Sequence, residues 1–348
     1  MAERINTVVI GGGQAGLAIS YYLTQQGREH VVLEKDRVGE SWRSKKWDSF
    51  TLVTPNRQML LPGHRYEGDD PDGFMARDEV VRYLDDYVAL FNPPLRLGVE
   101  VTAVEANVRD AGYTVETDGG DLDAENVVVA TGTFQRPKLP VSSQALAPHI
   151  AQRHTSLYRD FEHLRPGAVL VVGSGQSGCQ IAEELYQSGR RVYLCTGSAG
   201  RVPRTYRGKD FTWWLTQMGF VDRPVDELDS PAERFDANPH VTGKDGGHTL
   251  NLHQFARDGV TLLGRFEAVR GSKVKIKDNL MDNLKMADGT AKQMKGGIDK
   301  FIQKAGIDAP EAEEADFRDG YDTEINTDLD LDDANIQTVI WTISCDYD

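Results

Sequence analysis

Apolar residues in this chain gather into short unbroken runs. TVVI at 7–10, HVVL at 30–33, VLVV at 169–172 and VYLC at 192–195 each hold at least three consecutive apolar side chains. Runs this short and this apolar read as strands buried on both faces, as in a parallel sheet. Between the members of each pair the period changes. Ile19 and Leu23 in the first interval, and Ile181 and Leu185 in the second, recur at a spacing of four, which marks one helix face against a sheet. Gly27 and Gly189 then stand where a helix ends on a residue that tolerates positive φ.

The pattern strand, helix, strand thus occurs twice, and the same turn opens both helices. Residues 11–16 read GGGQAG and residues 173–178 read GSGQSG, so Gly11, Gly13 and Gly16 align with Gly173, Gly175 and Gly178. In G-x-G-x-x-G the first glycine makes the tight turn, the second admits a pyrophosphate to the backbone, and the third lets helix and strand pack closely. The N–H groups of the first helical turn, with Gln14 and Ala15 or Gln176 and Ser177, face the phosphates at the positive end of the helix dipole. The expected fold class is α/β, with two Rossmann-like dinucleotide-binding domains.

The strands after the helices differ. The first ends in Glu34, followed by Lys35, where a carboxylate accepts hydrogen bonds from a ribose 2′-OH. The second ends in Thr196 and is followed by Arg201, Arg204, Arg207 and Lys209 before the first acid, Asp210. A carboxylate repels a 2′-phosphate and a basic loop attracts one. The first site therefore suits FAD and the second NADPH, with a solvated basic loop as the alternative for the arginines.

Length and charge agree with this reading. A chain of 348 residues exceeds one ordinary core. A formal charge of −15 disfavours nucleic acid and anionic membrane as partners, leaving a small soluble substrate. Three cysteines without a CxxC, and an N-terminus without a long apolar run, lead to the expectation of a cytoplasmic protein. A homodimer is left open.

With both turns in place, the chain resembles the flavin-containing monooxygenase-like flavoproteins, which carry an FAD domain with an inserted NADPH domain. The segments that carry the resemblance are VGESWRSKKWDSFTLVTPN at 38–56, NVVVATG at 126–132 and the RPKLP that follows. It implies an FAD-binding domain at 1–140 completed by 325–348, and an NADPH-binding domain at 160–325 with a helical insertion at about 278–304. It further implies that Trp42 and Arg43 lie near the flavin or its phosphates, that Ala130, Thr131 and Gly132 form a backbone wall, and that Val101 belongs to the cofactor-binding set. Asn56 is its candidate for the polar side chain beside the flavin, with a turn residue after Pro55 as the alternative. The implied reaction reduces FAD with NADPH and passes one oxygen atom of O₂ to a small molecule through a C4a-peroxyflavin. An NADPH oxidase or acceptor reductase without oxygen transfer, and a dinucleotide-binding protein without turnover, are the alternatives.

Two departures temper that resemblance. Of the fingerprint F-x-G-x-x-x-H-x-x-x-[FYW] only His154 to Tyr158 fits, because Pro148 and Ile150 hold the first two positions. TVIWTISCDYD stands where relatives have a second W-A-T-G-Y strand, and the family's final flavin-covering segment is expected to be missing after it. Elsewhere, DLDLD at 328–332 reads as a strand rather than a calcium loop, since Asp333 and Val339 replace the glycine and glutamate that loop needs. His240, His248 and His253 lack metal-ligand spacing, so no metal is expected. Cys179, and the face of Phe211, Trp214, Leu215 and Met218, read as core, and the run from Asp278 to Lys304 as an amphipathic helix broken at DGT.

Overall fold

The computed structural model describes residues 2–107, 111–133, 136–228, 230, 239–312, 326–343 and 345–346. It divides into two units. The first comprises residues up to Phe50, Pro55–Pro137 and the described pair Cys345 and Asp346, and the second comprises Thr51–Thr54 and Lys138–Ile343.

In the first unit β1 (Glu3–Ile10) leads to α1 (Gln14–Gln25) and β2 (His30–Glu34). Then come α2 (Glu40–Lys45), α3 (Arg77–Phe91), β3 (Leu95–Leu97), β4 (Val101–Ala106), β5 (Tyr113–Thr117) and β6 (Leu122–Val129). The strands form one sheet in the order β3-β2-β1-β6-β5-β4. Its first four members run parallel and the last three form an antiparallel meander. Val8, Ile10, Val31, Leu33 and Val115 make its core, because an apolar run in a covered sheet buries both of its faces.

The second unit holds β7 (Ala151–His154), β8 (Ala168–Val172), α4 (Gln176–Gln187) and β9 (Val192–Cys195). They are followed by α5 (Phe211–Gln217), α6 (Leu252–Arg257), β10 (Thr261–Leu263), β11 (Phe266–Arg270) and β12 (Lys273–Ile276). The chain closes this unit with α7 (Leu280–Ala305), β13 (Asp328–Asp330) and β14 (Ile336–Trp341). The parallel order is β7-β14-β8-β9-β10, and β11, β12 and β13 form a separate antiparallel sheet. Leu170, Val172, Tyr193 and Trp341 of the first sheet share a core with Val269, Val274 and Ile276 of the second.

The two units repeat one another in hydrogen-bond register. Gly11 N donates to Leu33 O at 2.8 Å, and Gly173 N to Cys195 O at 3.1 Å. On the other side Ala130 N donates to Ile10 O at 2.8 Å, and Thr342 N to Val172 O at 3.0 Å. Thr342 therefore occupies in the second unit the place of Ala130 in the first. This corrects the domain boundary read from sequence. Position 325 itself lies outside the described residues, but β13 and β14 belong to the second unit, and of 325–348 only Cys345–Asp346 pairs within the first, against Arg136–Pro137. A central strand is placed by the sheet that satisfies both its edges, and β14 lies between β7 and β8.

Further differences concern the helices. α1 buries Gly16, Leu17 and Ser20, while Ile19 is exposed, so its sheet-facing side is not the one that the four-residue spacing marked. α4 is buried from Gly178 to Leu185, Ile181 included, because it is covered on more than one side. α7 runs unbroken through Asp288, Gly289 and Thr290, where a break was expected. One mid-helix glycine weakens a helix by about 1 kcal/mol, which the buried stripe Leu284, Ala287, Ala291 and Ile298 offsets. Asp328–Asp330 is a strand, as read, and turns after Asp330.

The third glycine of each turn is fixed by close approach. A Cβ on Gly16 would overlap the Gly11 carbonyl, and one on Gly178 would overlap that of Gly173. Gly178→Ala is expected to lower stability by roughly 1–3 kcal/mol through overpacking, measured by urea unfolding; a shift below 0.5 kcal/mol would show that helix and strand separate freely.

Candidate functional site

Each turn delivers a helix start with no side chain over it. Gly13 and Gly175 are the N-caps of α1 and α4, at φ/ψ of −91°/−171° and −70°/−175°, and neither cap makes a side-chain hydrogen bond. Extended backbone of this kind suits any residue, and an ideal Cβ at either position meets nothing within 4 Å. Neither glycine is required by the packing of the chain itself. The turns instead expose the partial positive charge of a 12-residue helix to open space, where an anionic oxygen fits. The residues present thus fit two dinucleotide pyrophosphates. Gln14 and Ala15 are exposed, and Gln176 and Ser177 half-buried, beside these openings.

The strand ends distinguish the two copies. Glu34 accepts from Gly12 N at 2.7 Å and from Asp36 N at 3.0 Å, so its carboxylate is held at the turn. Lys35 is exposed and pairs loosely with Glu100 at 3.8 Å. Thr196 instead is buried, donates to Leu263 O at 2.8 Å and accepts from Asn283 of α7 at 2.9 Å. Ser174, at the place of Gly12, accepts from Gly197 N at 2.9 Å, which reverses the direction of the link between turn and strand. Thr342 Oγ1 reaches the carbonyls of Val172 and Gly173 at 2.8 and 2.9 Å, a contact that sequence reading missed for want of a partner assignment for β14.

The loop after β9 is not the open basic surface that its composition suggested. Arg201 and Arg204 are only 5% and 3% exposed. Arg201 forms a 2.8 Å ion pair with Asp288 of α7, whose other oxygen meets His253 Nε2 at 2.9 Å. Arg204 forks onto both oxygens of Asp210 at 2.8 Å and donates to Val53 O at 2.7 Å. A buried guanidinium needs a carboxylate and further acceptors, and these arginines find them inside the unit. Burial acts to raise the Asp288 pKa, but the His253 bond and the Arg201 charge outweigh it and hold this acid below the usual carboxylate range. Burial and the same Arg201 charge push His240 down to about 4, so it stays neutral at pH 7.

The remaining candidates are spread through the first unit. Asn56 is buried, donates to Asp70 O at 2.9 Å and accepts from Met75 N at 2.7 Å, clamping the 70–75 loop. Arg43 pairs with Asp85 at 2.7 Å, and Trp42 packs on Phe50 with Lys46 Nζ 5.6 Å from its ring centre. Val101 packs against the sheet core. Ala130 is half-buried at the Gly11 turn, and Thr131 and Gly132 are exposed, Gly132 with φ of 84°. In the second unit the surviving half of the fingerprint is a structural clamp: His154 Nε2 lies 3.2 Å from Ile343 O, and Tyr158 donates to Glu184 at 3.0 Å. Cys179 and Cys195 are fully buried, which pushes both thiols upward and keeps them inert. Among the described residues no cluster of three or more His, Cys, Asp or Glu could hold a metal, and no helix is long and apolar enough to cross a membrane.

The family model described as pyridine nucleotide-disulphide oxidoreductase matches residues 8–216, from the first strand through both turns. This chain belongs to that family. It is 35% identical over 281 residues to the CzcO-like oxidoreductase of Geobacillus kaustophilus, covering 80% of this chain and 78% of that one. It is also 31% identical to the indole-3-pyruvate monooxygenase YUCCA1 of Oryza sativa subsp. japonica, over 58% of this chain and 50% of that protein. A flavin-containing monooxygenase from Stenotrophomonas maltophilia shares the fold, with a TM-score of 0.62 at 18% identity over 98% of this chain and 78% of that one. The resemblance to flavin-containing monooxygenase-like flavoproteins is borne out, and the chain is an oxidoreductase by family.

Two substitutions separate structural from ligand roles. Arg204→Ala removes the charge partner of Asp210, leaving its carboxylate only the Thr212 donors, and is expected to lower stability by about 3 kcal/mol, read from the urea midpoint, whereas a residue that served only a ligand would leave the midpoint in place. Asn56→Ala removes two loop hydrogen bonds and is expected to lower stability by about 2 kcal/mol by the same measurement.

Proposed function

We propose that this chain is an NADPH-dependent FAD flavoprotein oxidoreductase that oxygenates a small molecule with molecular oxygen. One observation carries the reading: two turns identical in register, each with an open N-cap glycine, of which the first alone ends its second strand in a carboxylate. FAD suits the first, where Gly11, Gly13, Gln14, Ala15 and Gly16 would take the pyrophosphate, Glu34 the ribose, and Ala130 to Gly132 the inner wall. NADPH suits the second, where Gly173 to Gly178 would take the pyrophosphate, with Arg201 on the loop after β9 as the candidate partner of a 2′-phosphate. Monooxygenases among the relatives support oxygen transfer as the outcome. Bound flavin supplies hydride acceptance and oxygen activation. The protein's part is to bind, orient and keep water out, while Asn56, through the loop it clamps, and Trp42 and Arg43 shape the first unit.

The absorbance spectrum of the purified protein tests this. A yellow protein that NADPH bleaches under argon is expected, with a long-lived absorbance band when air is admitted. Immediate return to the oxidised spectrum with peroxide release would indicate an NADPH oxidase instead, and failure to bleach would leave a dinucleotide-binding protein without turnover. Gly13→Val is expected to abolish flavin retention, and Gly175→Val to leave yellow protein that NADPH does not reduce. Equal flavin loss in both variants would overturn the division of labour between the turns.

A further inference from the structure

Helix α7 lies on the loop that follows β9. Asn283 reaches Thr196, Asp288 holds Arg201, and Thr290 packs against Gly200, so three successive points of one helix are anchored there. In a strand-helix-strand nucleotide unit this is the loop that meets the 2′ position of the adenosine ribose. Basic side chains meet there: Arg201 and His253 both contact Asp288, and on the same helix burial, with the Arg201 charge, lowers the pKa of Lys295. Asp288 is the acid these two contacts share, and its side chain keeps 16% of its surface exposed against 6% for Arg201. It presents two anionic oxygens to a guanidinium and an imidazole, the acceptor geometry that a phosphate also offers with greater charge.

Resting on the reading of the second turn as a coenzyme site, we propose that Asp288 is an internal substitute for the coenzyme 2′-phosphate. Its competition with that phosphate for Arg201 sets the preference of the second site between NADP⁺ and NAD⁺. Asp288 is a charge partner of a guanidinium that is almost wholly buried, so a phosphate reaching Arg201 would meet this carboxylate as a competitor. When NAD⁺ binds, Asp288 stays in place. When NADP⁺ binds, the phosphate takes over Arg201 and α7 must release it, which reduces the gain from the extra phosphate.

Isothermal titration of the purified full chain, with FAD added, against NADP⁺ and NAD⁺ measures this. In Asp288→Asn the ratio of NADP⁺ to NAD⁺ affinity is expected to rise roughly tenfold, the scale of one charge-assisted hydrogen bond. Adding Arg201→Gln should return the ratio to the original value or lower. An unchanged ratio in Asp288→Asn, with both dinucleotides still bound, would overturn the proposal and leave the coenzyme site standing. Failure of the unsubstituted chain to bind either dinucleotide would overturn both. Should Asp288→Asn not fold, hydrogen exchange on the unsubstituted chain decides: amides across 283–295 should exchange faster with 2′,5′-ADP than with 5′-AMP, and equal exchange would refute the release of Arg201.

Discussion

One close approach governs both halves of this molecule. The first turn of each helix comes so near the preceding strand that the space of the third glycine's Cβ is already filled by the carbonyl of the first glycine. With the helix pinned there, its opening N–H groups have no side-chain cap, and the middle glycine looks into empty space. The open anion cradle is thus a consequence of packing, and its repetition in register follows from the repetition of three glycines.

What surrounds the cradles differentiates them. In the first unit a carboxylate at the end of β2 is tied to the turn by backbone N–H donors and stays at its rim. In the second unit the equivalent threonine is turned inward, bonded between β10 and α7. The arginines beyond it are likewise drawn inside. Leaving a guanidinium buried without a carboxylate costs several kcal/mol, so Asp210 and Asp288 determine where Arg204 and Arg201 can sit. An acidic chain can in this way carry a loop that is basic in sequence while its two buried arginines are matched by carboxylates in structure.

The second sheet also explains segments that looked like remnants. His154 and Thr155 bond to the end of β14 through Ile343 O and Trp341 O, so this part of the fingerprint secures a strand. β14 in turn supplies Thr342 to the turn at Gly173, as Ala130 closes the turn at Gly11. The family shared with flavin-containing monooxygenase-like proteins is visible here as one architecture used twice, with a side chain at one closing position where the other has only a methyl.

The sequence by itself determined the repeated strand, turn, helix and strand, since consecutive apolar residues, a glycine spacing and a helix stop are local properties that short-range sterics enforce. Gly27 and Gly189 do adopt positive φ, and Gly11 and Gly173 do make the turns. Glu34 was legible because its carboxylate bonds a turn 22 residues away within one unit of the pattern. Tertiary structure alone decided the rest: the sheet that β14 joins, the covered face of α1, the unbroken course of α7, and the partners of Thr196, Arg201, Arg204 and Asn56. Each depends on a group far along the chain, such as Asp288 lying 87 residues beyond Arg201. Charge pairing and strand edges are satisfied by whichever neighbour the fold brings near, and no spacing rule in one chain records that choice.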